Sequence, residues 1–235
     1  MLFSRLRLHG DAAGCLQRAA SAHQTYWSVI ALAVVGVYLH RLTQASDVVL
    51  GLPVGGRAGR RALSTPAMLA NELPLRLQLG SEVTFGDVVR QVSMQVSEAL
   101  RHQRYRGEDV QRQQRRLHGE SVPPAVVVNV VSFDGALDFG GRSATVHTLS
   151  SGPVRDLQIE LFGGAAGTDV EICFKANAEL YTAEALATHH RRFVHLLEGA
   201  TRPGPDLAIG RLPLLPQDEA DWIHRELAGP VRALG

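Results

Sequence analysis

The chain has 235 residues, 45% of them hydrophobic and 20% charged, which predicts a water-soluble fold with a core of ordinary size. A net charge of +1 excludes a strong global field toward nucleic acid or an anionic membrane. Cys15 and Cys173 lie too far apart in sequence to form a disulfide framework or a metal knuckle, and their apolar neighbours predict buried thiols in a reducing cytoplasm.

Residues 2–9 alternate apolar and polar, the pattern of a strand. This strand starts with no leader before it, as expected of a piece cut from something longer. Asp11 is placed to cap a short helix through Ala20. Thr25 precedes a long apolar helix reaching about Leu42. Its core, Tyr26 to Leu39, is too short to span a bilayer, and such a length more often marks a buried helix. Residues 47–54 read as a buried strand, 55–65 as a Gly- and Arg-rich loop, and 72–79 as a second strand alternating on Leu73, Leu75, Leu77 and Leu79.

Thr84 is the expected cap of a helix from Phe85 to about Gln103, with Val88, Val89, Val92, Val96 and Leu100 at helical spacing. A polar helix follows over 107–117. Four strand-like runs come next, at 125–133, 143–149, 157–163 and 168–175, separated by glycine- and proline-rich turns. Thr182 opens a helix through Glu198, and a proline-rich tail leads to a last helix near 217–227. Helices on both sides of a set of strands predict an α/β sandwich built on a mixed sheet.

Few residues advertise chemistry. His189 and His190 are adjacent, but they sit in an amphipathic helix with Leu186, Phe193, Leu196 and Leu197, so packed or surface histidines are expected. There is no metal-ligand spacing, no GxSxG elbow, and the glycine-rich run 51–61 lacks the Lys-Ser/Thr ending of a phosphate loop. Residues 101–116 hold six arginines, but Glu108 and Asp109 lie among them. A solvated helix with internal ion pairs is expected there, with nucleic acid or an acidic protein partner as the functional alternatives. Asn129 stands among valines on a predicted strand. Its amide needs partners there, because burial without them costs about 1–3 kcal/mol.

Taken in order, these segments resemble the condensation-domain family of nonribosomal peptide synthesis, over essentially the whole chain. GLPVGGR (51–57) resembles the family's G-x-P-v-x-G-R segment, which leads into the loop flooring the active-site tunnel. LANELPLRL (69–77) resembles G-x-F-V-N-T-x-x-x-R, with Asn71 and Arg76 in matching places and Met68 and Glu72 departing. HQRYRGEDV (102–110) resembles H-Q-x-x-P-F-E, with Arg106 and Gly107 replacing the proline and phenylalanine. Residues 126–141 and 152–162 are similar to the strand and crossover that follow, and LPLL (212–215) to the exit toward an adenylation domain.

The resemblance implies a chloramphenicol-acetyltransferase-like lobe. Residues 1–227 would be the C-terminal lobe of a condensation domain, and 228–235 the start of a linker. The family's catalytic HHxxxDG motif is absent from this sequence and is expected on the N-terminal lobe. No complete catalytic set is therefore assigned here; Asn129, Arg57 and Arg76 are the expected tunnel residues. The substrates implied are carried on phosphopantetheine arms, with no cofactor bound directly. The implied partners are the N-terminal lobe, carrier domains and an adjacent adenylation domain, without nucleic acid or membrane. Two alternatives remain at this point: a free-standing acyltransferase of the same fold using His189 or His190, and a degenerate docking module for carrier domains.

Overall fold

The computed structural model describes residues 1–57, 59–119, 124–131, 137–138, 140–144, 152–163 and 169–227. In chain order the elements are β1 (Leu2–Leu8), α1 (Gly10–Ala22), α2 (Trp27–Thr43), β2 (Asp47–Val54), the one-turn α3 (Arg60–Leu63), β3 (Asn71–Gln78), α4 (Phe85–Arg101) and α5 (Gly107–His118). Then follow β4 (Val126–Val131), the two-residue strands β5 (Leu137–Asp138) and β6 (Ser143–Ala144), β7 (Leu157–Phe162), β8 (Val170–Ala176), α6 (Ala183–Thr201), a 3-10 turn (Ile209–Arg211) and α7 (Gln217–Leu227).

Six strands form one mixed sheet in the order β1-β8-β7-β4-β2-β3. β2, β4 and β7 run parallel, while β1, β8 and β3 pair antiparallel with their neighbours. β5 and β6 make a separate two-stranded ladder. The predicted α/β class and mixed sheet are what is observed. Some details differ. Helix α1 starts at Gly10 with His9 at its N-cap, so Asp11 lies in the first turn and pairs with Arg18 instead of capping. The loop over 55–65 contains α3. Of the expected strand 143–149, Ser143–Ala144 is a strand and 145–149 lies outside the described residues. Cys173 is buried, but Cys15 is only half-buried, on the rim of α1 with the Arg18 guanidinium 2.9 Å from its sulfur.

Alternation along the strands gives the sheet two unlike faces. One carries Leu50, Leu75, Leu77, Val128, Ile159, Leu161, Ile172 and Phe174, all fully buried. Helices α1, α2, α4 and α6 pack over this face. The other face carries Arg5, Glu72, Arg76, Asn129, Gln158, Glu160, Glu171 and Lys175, by the same strand register. Helix α5 lies on that second side, beside β3.

Helix α2 is apolar all round because it is enclosed all round. Twelve of its 17 residues are buried, among α1, α4, α6 and the sheet. Close approach to the sheet requires Gly36: a Cβ there would sit 2.5 Å from Leu77 Cδ1. Helix α4 opens with a capping box, in which the Thr84 hydroxyl accepts from the Asp87 N–H and the Asp87 carboxylate accepts from the Thr84 N–H. It buries Phe85, Val88, Val89 and Val92 against α2 and β3.

Helix α6 turns both adjacent histidines inward. His190 is 4% exposed, its ring stacks on Phe174 at 4.8 Å, and its Nδ1 lies 2.8 Å from Ser4 Oγ. Its Nε2 meets no polar atom among the described residues. The Tyr38 hydroxyl donates to the His189 carbonyl at 3.0 Å and lies 2.9 Å from His189 Nδ1. Arg192, one turn on, pairs with Glu219 and so ties α7 to α6. No single helix among the described residues is long and apolar enough to cross a membrane.

Two predictions follow from this packing. Gly36→Val inserts three carbons where Leu77 already stands, and overpacking should lower the stability by about 2 kcal/mol, measured by urea denaturation. The second concerns pH. Burial pushes the His190 imidazole down from 6.5 to about 4, so the folded state holds it neutral while the unfolded chain takes up a proton. The stability it supports is complete above about pH 6.5 and is lost as pH falls toward 4. The largest loss is roughly 3 kcal/mol. Burial, then the charge of Arg192, moves His189 in the same direction. His190→Phe, which keeps an aromatic ring on Phe174, should flatten the stability profile between pH 4 and 6.5; an unchanged slope would show that other groups govern it.

Candidate functional site

Because β2, β4 and β7 are parallel, the segments leaving their C-terminal ends emerge at one end of the sheet, the usual place for a site in such a fold. These segments are 55–70 after β2, 132–156 after β4 and 163–169 after β7. The expected crossover 134–156 lies for the most part outside the described residues.

The first segment is tightly closed. Gly56 has φ +62°, and a Cβ there would fall 2.0 Å from the Leu69 carbonyl oxygen, so the turn requires glycine. Arg57 follows. Its guanidinium donates to the carbonyls of Ala62 (2.8 Å), Thr65 (2.7 Å) and Ala67 (2.7 Å). Three of its five N–H groups are thus spent on the loop's own backbone, leaving two for a group beyond it. The loop presents Leu63 and Met68 to solvent, 67% and 88% exposed.

Asn71, at the start of β3, joins this end of the sheet to α5. Its amide nitrogen donates to the carbonyls of Gln103 and Tyr105, at 3.1 and 2.7 Å. Its oxygen accepts from the N–H groups of Gly107 and Glu72, at 2.9 and 3.0 Å. All four groups of one side chain are used, a full set for an amide in this position. Gly107 fits because a Cβ there would meet the Glu72 carbonyl at 2.7 Å. Glu72, which departs from the family motif, pairs through its carboxylate with Arg155 at 2.9 Å, bridging β3 to the segment entering β7.

Asn129 is half-buried on β4, on the polar face, directly opposite Glu160 of β7. Glu160 and Lys175, the chain's single lysine, form a buried ion pair at 2.6 Å, and Gln158 donates to the same carboxylate at 2.8 Å. Next to them burial pushes the Cys173 thiol up to about 11, so it is held protonated. Arg76 shares this face but not this end. It forks onto Asp47, at 2.6 Å, near the start of β2. By strand register it stands roughly 15 Å from Asn129. The structure therefore brings Arg57, Asn71 and Asn129 to one end of the sheet and sets Arg76 apart.

Sequence reasoning missed the Glu72–Arg155 and Glu160–Lys175 pairs, although each acidic residue stood inside a strand pattern where only a partner makes a charge affordable. Among the described residues, the strands of the polar face carry hydrogen-bond donors and acceptors and no histidine; His190 is buried on the opposite side, and His189 is half-buried beside it against Tyr38. No three His, Cys, Asp or Glu residues among those described are placed to hold a metal ion. This face is suited to binding and orienting a polar chain.

Comparison with known proteins agrees with this architecture. The family model for the condensation domain matches residues 4–223. The chain is 37% identical over 214 residues to a dimodular nonribosomal peptide synthase of Bacillus subtilis (strain 168), covering 88% of this chain and 9% of that protein. It is 33% identical over 168 residues to enterobactin synthase component F of Escherichia coli O157:H7, covering 72% of this chain and 13% of that protein. Among solved structures, the first condensation domain of the calcium-dependent antibiotic synthetase, in complex with a substrate analogue, superposes with a TM-score of 0.81 at 36% identity. That match covers 91% of this chain and 49% of the other, so the chain spans about half the length of the solved domain. On its sequence, its mixed sheet with a chloramphenicol-acetyltransferase-like fold and these matches, the chain belongs to the condensation-domain family.

Proposed function

We propose that residues 1–227 are the C-terminal lobe of a nonribosomal peptide synthetase condensation domain, that 228–235 begin a linker toward a following adenylation domain, and that the protein works in the cytoplasm. The observation that carries this reading is the half-length match: nearly all of this chain aligns with about half of a condensation domain. The inward packing of the adjacent histidines supports it: His190 is buried on Phe174 and the half-buried His189 lies against Tyr38, so neither faces the polar side as a general base.

In the complete domain a donor thioester and an acceptor amine arrive on the phosphopantetheine arms of two carrier domains. The amine nitrogen attacks the thioester carbonyl carbon, the C–S bond breaks, and an amide and a free thiol result. The histidine motif of the N-terminal lobe takes the amine proton. This lobe contributes orientation: the loop 55–70, held closed by Arg57, forms the tunnel floor, and Asn129 hydrogen-bonds the substrate carbonyl. Holding both reactants in line and stabilising the developing oxyanion each contribute several kcal/mol in such reactions. Arg76 plays a lesser part, acting through Asp47.

The 235-residue chain alone, supplied with loaded carrier domains, should give no amide product, and joining it to a lobe that carries HHxxxDG should restore turnover, since general-base catalysis contributes about 10²–10⁴-fold. Turnover by the chain alone that disappears in His189→Ala or His190→Ala would overturn the assignment. In the joined protein, Asn129→Ala and Arg57→Ala should each lower kcat at least about tenfold. Melting temperatures belong beside the rates. Activity within a few-fold of the parent, or losses that track melting temperature, would remove these two residues from the site.

A further inference from the structure

Residues 101–118 carry six arginines against two carboxylates, an excess of four positive charges, in a chain whose net charge is +1. The remainder of the chain therefore sums to −3. Three ion pairs quench part of this segment: Arg101 and His102 on Glu98, and Arg112 on Asp109. Arg104, Arg106, Arg115 and Arg116 are exposed, and no carboxylate among the described residues pairs with them. Arg106 stands where the family motif has proline, so this charge is a feature of this chain and not of the motif.

The surface also has shape. Tyr105, Asp109, Arg112, Gln113 and Arg116 line a groove of about 310 Å³. Tyr105 is 50% exposed and Leu117 69%. Helix α5 buries no residue at all, although most helical stability in proteins comes from packing an apolar face. Its N-terminus is nevertheless fixed, because Asn71 bonds the Gly107 N–H and the loop carbonyls before it. A helix fixed at its N-terminus with its outer side uncovered, rich in arginine and with an exposed tyrosine beside it, has the composition of a protein-binding hot spot.

We infer that the outer face of the 102–106 loop and α5 docks the acidic face of a helical carrier domain. The partner is identified by charge: unpaired arginines at both ends of α5, Arg104 and Arg106 before it and Arg115 and Arg116 in its last turn, match glutamates and aspartates on a facing helix. Nucleic acid fits less well, because Glu108 and Asp109 lie inside the patch and glutamines, not basic residues, fill Gln111, Gln113 and Gln114. The inference rests on the function proposed above, and its test separates the two.

The 235-residue chain is titrated with a recombinant carrier domain of net negative charge, without and with its phosphopantetheine arm, and separately with a short DNA duplex. Binding to the armless carrier should be saturable and should weaken with salt. It should fall at least about tenfold in R115E/R116E and in R104E/R106E, and less in R115Q/R116Q. Placing arginine at acidic positions of the carrier helix should restore part of the loss in R115E/R116E. All four arginines are exposed, so the variants should melt within about 2 °C of the parent. Carrier binding unchanged by both reversals, or tighter binding to the duplex than to the carrier, overturns the proposal. So does the absence of saturable binding when the chain joined to its N-terminal lobe still condenses carrier-bound substrates, and that outcome leaves the proposed function standing. No condensation by the joined protein would instead remove the function on which the docking surface depends.

Discussion

The enclosure of α2 is the constraint on which this molecule is built. A helix with 12 of its 17 residues buried cannot sit on a surface. It needs an apolar sheet on one side and helices on the others, and α1, α4 and α6 supply them. The arrangement is tight: Gly36 is needed against Leu77, and the fully buried Tyr38 satisfies its hydroxyl on the His189 carbonyl. Burial raises the Tyr38 phenol well above its usual range, so the hydroxyl stays protonated and free to donate near neutral pH.

Because one face of the sheet is committed to α2 and its neighbours, the charged strand residues are sent to the other face. Alternation with a period of two leaves no other choice. Glu160, Lys175, Asn129, Glu72 and Arg76 therefore lie together on one side by register, even though they come from four different strands. The buried Glu160–Lys175 pair is an instructive case. Such a pair is weak evidence for stability, since well-packed apolar residues often do as well. Here it lies on the polar face, where Gln158 adds a further hydrogen bond to the same carboxylate.

Asn71 links this scaffold to the rest. One amide closes four backbone groups from three segments, and through Gly107 it sets where α5 begins. Arg57 does a similar task for the loop after β2. Both residues lie in segments that resemble family motifs, and in both the visible role is to hold backbone in place at the end of the sheet where three parallel strands finish.

Much of this was legible in the residues themselves. Alternating leucines at 73, 75 and 77, the valine run at 126–131 and the caps at Thr84 and Thr182 each announce an element through local stereochemistry, and all four were found where expected. The ordered motifs announced the family. The expected cap at Asp11 differs from the observed one because the helix starts after His9 without a side-chain cap, and an offset of two residues is invisible to periodicity. The orientation of His189 and His190 was open in the sequence, since an amphipathic helix admits them at either margin; packing against Tyr38 and Phe174 decided it. The pairings Glu72–Arg155 and Glu160–Lys175 join residues separated by other strands, and the grouping of Arg57, Asn71 and Asn129 apart from Arg76 follows from strand order. Sequence by itself determined the elements, their apolar faces and the family, because those depend on neighbours within a few residues; only the tertiary structure decided which charges meet and which residues gather at one end of the sheet, because register and strand order are set by long-range burial.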